Sequence, residues 1–129
     1  MTSIKYLKKA SIVSIHFVRT EEIKHALDSL GGMVARGSIV NVRSDKDLFE
    51  VVASAMKFPD YFGNNWDALD ECLGDMDWFP ADSYCLVLRE AAKGWSQAPY
   101  ALGCFATAWL EAAECWAKSG TPFHLVFVM

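Results

Sequence analysis

No apolar run in this 129-residue chain approaches the ~18–20 residues that a membrane-spanning helix needs, so no membrane partner is expected. The start, MTSIKYLKKASIVSIHFV, has lysines ahead of an apolar run. That run is short, contains His16, alternates like a strand and leads into charges instead of a small-residue cleavage site. It is therefore not read as a secretory signal. Cysteine is sparse, and Cys72, Cys85, Cys104 and Cys115 form no C-x-x-C pair and no zinc-like Cys/His spacing. They read as small core residues of a reduced, cytoplasmic protein. Nucleophile and phosphate motifs are missing as well: there is no G-x-S-x-G, no phosphate-binding glycine loop and no H-E-x-x-H. Neither an enzyme nor a cofactor is expected.

The most informative absence is of positive charge. From Phe58 to Leu88 there is no Lys or Arg, but there are seven acids: Asp60, Asp67, Asp70, Glu71, Asp75, Asp77 and Asp82. The rest of the chain carries nine acids against twelve bases, so the net charge of −4 conceals a segregation of sign. A one-signed patch steers partners of opposite charge. It repels phosphates, which excludes direct nucleic-acid binding by that surface.

What is present is a compact α/β pattern, 53% hydrophobic and without repeats, sized for one domain. SIVSIHFV (11–18), SIVNVR (38–43), YCLVL (84–88) and FHLVFV (123–128) read as strands. Between them the spacing predicts helices. Thr20 caps one that runs to about Leu30, stopped by Gly31 and Gly32, and Ser44 caps one with Leu48, Val51, Val52 and Met56 on one face. A short helix starts at Trp66, with Asn65 or Asn64 as its cap, and a long one covers about Pro99 to Lys118. Strands that are apolar on both faces and separated by helices imply a small, mainly parallel sheet of about four strands covered by helices. His16 and His124 lie within strands and read as satisfied core histidines; His25 reads as solvated.

The stretch FPDYFGNNWDALDECLGDMDWFP holds the candidate site. Pro59 and Gly63 break the preceding helix, and Gly63 is placed to take a positive φ in the turn. Trp66, Leu69, Cys72, Leu73 and Met76 form the core stripe of the short helix, leaving Asp67, Asp70 and Glu71 on the other side. Like charges at i,i+3 and i,i+4 cost a helix roughly 0.2–0.5 kcal/mol per pair. The plain reading is a solvated polar face, with Asp67 favoured by the helix N-terminus. The functional reading is recognition of a cationic protein surface, with Tyr61 and Phe62 excluding water around the ion pairs. For Phe62 and Trp78, core packing is an equally good account. A carboxylate-cluster metal-dependent hydrolase is a further alternative, but there is no EF-hand spacing and no nearby His, so no metal ligand is assigned. A protein-interaction or homodimerisation module is another, and the oligomeric state is left open.

These residues resemble the signature of the barstar family, intracellular inhibitors of the secreted ribonuclease barnase. Pro59, Tyr61, Gly63, Asn65, Asp67, Ala68, Leu69, Cys72 and Leu73 fall in register with it. The likeness extends back through DLFEVVASAMKFP and, more loosely, forward to the last strand. It implies one barstar-like domain over 1–129, with a core over 36–129 and a strand–helix extension over 1–35. It also implies a cytoplasmic inhibitor that blocks the active site of a basic ribonuclease with its acidic helix. Carried over by position, the partner-binding residues are Tyr61, Asn65, Asp67 and Glu71, with Phe62, Gly63 and Asp70 beside them. Asp75 and Glu114 are further candidates. The sequence has Glu71 where the family has Asp, and Asp70 where the founding member has an aromatic residue. Glu114 or Cys115 stands where that member has an acid on its last helix. These departures point to a different basic ribonuclease, or another cationic toxin protein, as the partner.

Overall fold

The computed structural model describes residues 7–23, 26–27 and 30–129. The elements run β1 (Ile15–Val18), α1 (Thr20–Ile23), β2 (Met33–Ser38), α2 (Asp45–Met56), α3 (Trp66–Asp75), β3 (Tyr84–Arg89), α4 (Ala91–Gln97), α5 (Pro99–Lys118) and β4 (Phe123–Val128). The four strands form one sheet in the order β1-β4-β3-β2, and every neighbouring pair is parallel. The α/β expectation holds.

Alternation of side chains along the strands divides the interior into two cores. On one face Met33, Ala35, Leu86, Leu88, Leu125 and Phe127 meet the apolar sides of α2, α3, α4 and α5. Aromatic packing dominates there. Trp109 stacks on Phe123 with centroids 4.3 Å apart, and its indole N–H donates to the Phe123 carbonyl at 3.3 Å. On the other face Cys85, Val87, Val126 and Val128 are covered by Leu7, Ile23 and Leu27 from the N-terminal segment.

Two expectations need correction. The second strand lies at Met33–Ser38, not at 38–43. Its register on β3 runs from Met33↔Tyr84 to Ser38↔Arg89. The apolar residues that suggested the later strand are a buried turn: Ile39 and Val42 are 0% and 1% exposed. The Val42 N–H donates to the Ile39 carbonyl at 3.2 Å, and Gln97 Nε2 donates to the Val40 and Val42 carbonyls at 2.9 and 3.0 Å. A side chain from a distant helix thus satisfies backbone that a strand would have paired. The helix after β1 has Thr20 as its first helical residue instead of its cap and is described over Thr20–Ile23; its expected run to Leu30 falls partly outside the described residues, and Leu27 lies in a turn.

Helix α4 carries no recognisable cap: Glu90 precedes it in the left-handed region, with φ 59° and no side-chain cap bond. It fits because Gly94 lets it approach the turn after β2; a Cβ there would lie 2.5 Å from Ile39 Cδ1. Ser44 caps α2 through its hydroxyl, which accepts from the Asp47 N–H at 3.2 Å, as expected. Gly120, at φ 77°, follows α5.

His16 and His124 are buried at 2% and 0% exposure and bonded to each other, Nε2 to Nδ1, at 2.9 Å. His124 Nε2 lies 2.7 Å from the Lys9 carbonyl, so it carries the proton; Nδ1 then accepts, and His16 Nε2–H donates to it. This leaves His16 Nδ1 buried without a partner. Burial, then the neighbouring His124, lowers the His16 pKa to about 4, and burial lowers that of His124. His25 lies outside the described residues. All four cysteines are free thiols, and the core reading holds for Cys72 and Cys85 but not for half-buried Cys104 or exposed Cys115.

Candidate partner-binding site

Asn65 starts α3 from an extended conformation, and its Oδ1 accepts from the Ala68 N–H at 2.7 Å. Its amide also donates to the Gly63 carbonyl at 3.3 Å, tying cap to turn. The positive φ expected at Gly63 falls instead at Asn64, at 54°, because asparagine is among the few non-glycine side chains that tolerate it. Met76, at φ 51°, ends the helix, and its N–H donates to the Cys72 carbonyl at 3.1 Å.

The buried stripe is as expected: Leu69, Cys72, Leu73 and Met76 are buried and Trp66 is half-buried. Trp66 packs edge-on against Phe49 at 4.8 Å, and its indole donates to Asp45 Oδ2 at 3.2 Å. The Trp116 indole donates to the Leu73 carbonyl at 2.8 Å, fixing α3 against α5. These anchors hold the opposite side of α3 outward, and Asp67, Asp70 and Glu71 are all exposed.

The exposed acids do not form one cluster. Glu71 and Asp75 line a shallow depression of about 80 Å³ together with Tyr61, Phe62 and Trp78. Asp70 faces the other way, into an open groove of about 530 Å³ between α3 and α5 shared with Trp66, Tyr100 and Glu111. Asp67 stands in the first turn of α3, where the helix dipole favours its charge. Glu114 is exposed on α5 but lines neither depression. Tyr100 was not singled out from the sequence. It is 83% exposed beside Pro99, the first residue of α5, and the approach of α3 brings Asp70 to the groove it lines.

The aromatic residues separate by role. Tyr61 is 75% exposed. Phe62 is half-buried and contacts Phe58 and Phe49 at 4.9 and 6.0 Å. Trp78 packs on Phe58 at 5.4 Å and donates to the Met56 carbonyl at 3.2 Å. For Phe62 and Trp78 the packing account therefore applies, and each still presents an edge to the depression.

Like charge is felt across this surface. A side-chain hydrogen bond with Asp77, helped by desolvation and the adjacent charge, pushes the Asp75 carboxyl above its ordinary range. Burial, then the charges of Asp75 and Glu71, push the Cys72 thiol up. The loop leading to β3 is pinned by Tyr84, whose hydroxyl donates to the Phe79 carbonyl at 2.8 Å and accepts from the Ala81 N–H at 3.1 Å. Among the described residues, no group of three or more His, Cys, Asp or Glu side chains is arranged to hold a metal ion. Nor is any described helix long and apolar enough to cross a membrane.

Fold and surface together define a small parallel α/β protein with an acidic helix turned to solvent. Residues 33–128 match the family of barstar, the barnase inhibitor, and the chain belongs to that family. The match begins at the first residue of β2, leaving β1 and α1 ahead of it. No individual curated protein matches the chain.

Proposed function

We propose that this protein is a non-enzymatic inhibitor that seats α3 and its preceding turn in the active-site cleft of a basic ribonuclease or another cationic toxin protein. The observation that carries this reading is the exposed carboxylate face of α3 in a chain of the barnase-inhibitor family. A partner that brings arginines and lysines relieves the like-charge repulsion along the helix and forms charge-assisted hydrogen bonds. Asp67 and Glu71, one turn apart, are the central contacts. Tyr61 and the edge of Phe62 screen them from water, Gly63 and Asn65 set the turn, and Asp70 and Asp75 extend the charge to either side. Glu114 adds a charge from α5. Action in the cytoplasm is consistent with four free thiols.

The test is inhibition of, and binding to, basic ribonucleases and toxins from the source organism over a range of salt. Inhibition that weakens steeply with salt and is lost in Asp67→Ala supports the reading. A complex insensitive to Asp67→Ala and Glu71→Ala removes α3 as the contact surface.

A further inference from the structure

The sheet face opposite α2–α5 ends in a cleft of about 690 Å³ at the C-terminal ends of the strands. In open parallel α/β sheets this is where ligands bind, and the volume is that of a small-molecule pocket. Its apolar wall includes Val87 and Val128, and its polar rim includes Thr20, Arg36, Arg89 and Glu90.

The two arginines are placed by the strands themselves. Val34 packs on the N-terminal side of the sheet, so Arg36, two residues on, faces the same way. Cys85 and Val87 face that side too, and Arg89 continues their row. Arg36 is level with Val87 in the ladder, which makes Arg36 and Arg89 diagonal neighbours on adjacent strands. Both are exposed. Diagonal neighbours on adjacent strands are within reach of each other's long side chains, and among the described residues neither guanidinium makes an ion pair. Glu90, next in the chain to Arg89 and on the same rim, has a left-handed backbone, and among the described residues it makes no ion pair with Arg89. Two guanidinium groups without an ion pair among the described residues thus line one cleft with an apolar wall, in a chain that is acidic overall.

We propose that this cleft binds a small organic oxyanion: a carboxylate or phosphate monoester carried on an apolar body. The planar guanidinium groups of Arg36 and Arg89 take the anionic head, matching the geometry of carboxylate and phosphate oxygens. Val87 and Val128 contact the body, and Thr20 adds a hydroxyl to the polar rim. The cleft lies on the opposite side of the sheet from α3, so this site stands or falls separately from the ribonuclease reading.

The test is calorimetric titration of the full chain with octanoate, octyl phosphate, neutral octanol and inorganic phosphate. Saturable one-to-one binding of octanoate, octyl phosphate or both is expected, with octanol and inorganic phosphate at least tenfold weaker. The better of the two octyl anions identifies the preferred head group. Arg36→Gln and Arg89→Gln should each weaken binding about tenfold or more, and the double variant should abolish it. Because both side chains are exposed, the variants should keep the wild-type circular dichroism spectrum. Asp67→Ala should bind the probes as wild type does. The proposal is overturned if neither octyl anion binds saturably at millimolar concentration, if octanol binds equally well, or if the folded double variant retains wild-type affinity.

Discussion

The two faces of the sheet are stabilised in different ways. The face beneath α2–α5 is filled by large rings and leucines, with Phe105, Trp109, Phe123 and Phe127 all at 0–1% exposure. The opposite face is covered by Leu7, Ile23 and Leu27 over small aliphatic residues, with the His16–His124 pair at its β1 side. Charge follows the same division. The exposed acids ride on α3 over the first face, and Arg36 and Arg89 emerge from the second. The lesson is that on falling pH the N-terminal face is the sensitive one, because it depends on two buried histidines remaining neutral.

The sharpest break of this comparison is Trp109→Ala. Removing a fully buried indole that stacks on Phe123 should destabilise the protein by about 3–5 kcal/mol, read from urea unfolding midpoints. Val87→Ala on the other face removes two carbons, and at ~0.8 kcal/mol per buried CH₂ it should cost about half as much or less. Equal losses would erase the distinction between the faces.

Asp67→Ala tests surface against core. It should leave stability within about 0.5 kcal/mol while weakening the inhibitory complex by roughly 2–5 kcal/mol; Asp60→Ala should cost the complex under about 1 kcal/mol. Parallel denaturation and binding titrations read both quantities.

The pH dependence probes the N-terminal face. Both histidines have native pKa values below their unfolded value near 6.5, so between pH 6.5 and about 4 the unfolded chain binds more protons. This contribution is therefore fully present above pH 6.5 and is lost as pH falls, the His16 part down to about pH 4. For His16 the loss is about 3 kcal/mol at most. Urea midpoints from pH 7 to 4 should show this slope, and His16→Leu/His124→Leu should flatten it. An unchanged slope in the double variant would move the effect to other groups.

A smaller loss of stability than those of the core and the histidines is expected at the α3 cap. Asn65→Ala should cost about 1 kcal/mol by leaving the Ala68 N–H without its acceptor, and thermal unfolding would show it. Asn65→Asp keeps the acceptor and should restore most of that loss.

Much of this architecture was legible in residue order. The caps at Ser44 and Asn65 read correctly because a cap is a local bond, made within three residues of itself. The buried stripe of α3 read correctly because helix periodicity is local too. The position of β2 did not, because Gly32, Arg36 and Gly37 weaken a strand signal that pairing with β3 overrides. Ile39 and Val42 looked like strand residues only because a buried turn and a buried strand are equally apolar. Helix α4 was missed for a related reason: with no capping residue and an internal Gly94, it is stabilised by what it packs on.

Sequence by itself determined the α/β class, the caps, the buried side of α3 and the segregation of acids into one segment. Each follows from short-range periodicity, capping chemistry or a count of charges. Only the tertiary structure decided that those acids part around α3, with Glu71 and Asp75 toward Tyr61 and Asp70 toward α5. It alone joined His16 to His124 across 108 positions and brought Arg36 beside Arg89. The physical reason is common to all three. Which residues become neighbours across strands and between helices is set by sheet order, register and packing angle, and these minimise free energy over the whole chain at once.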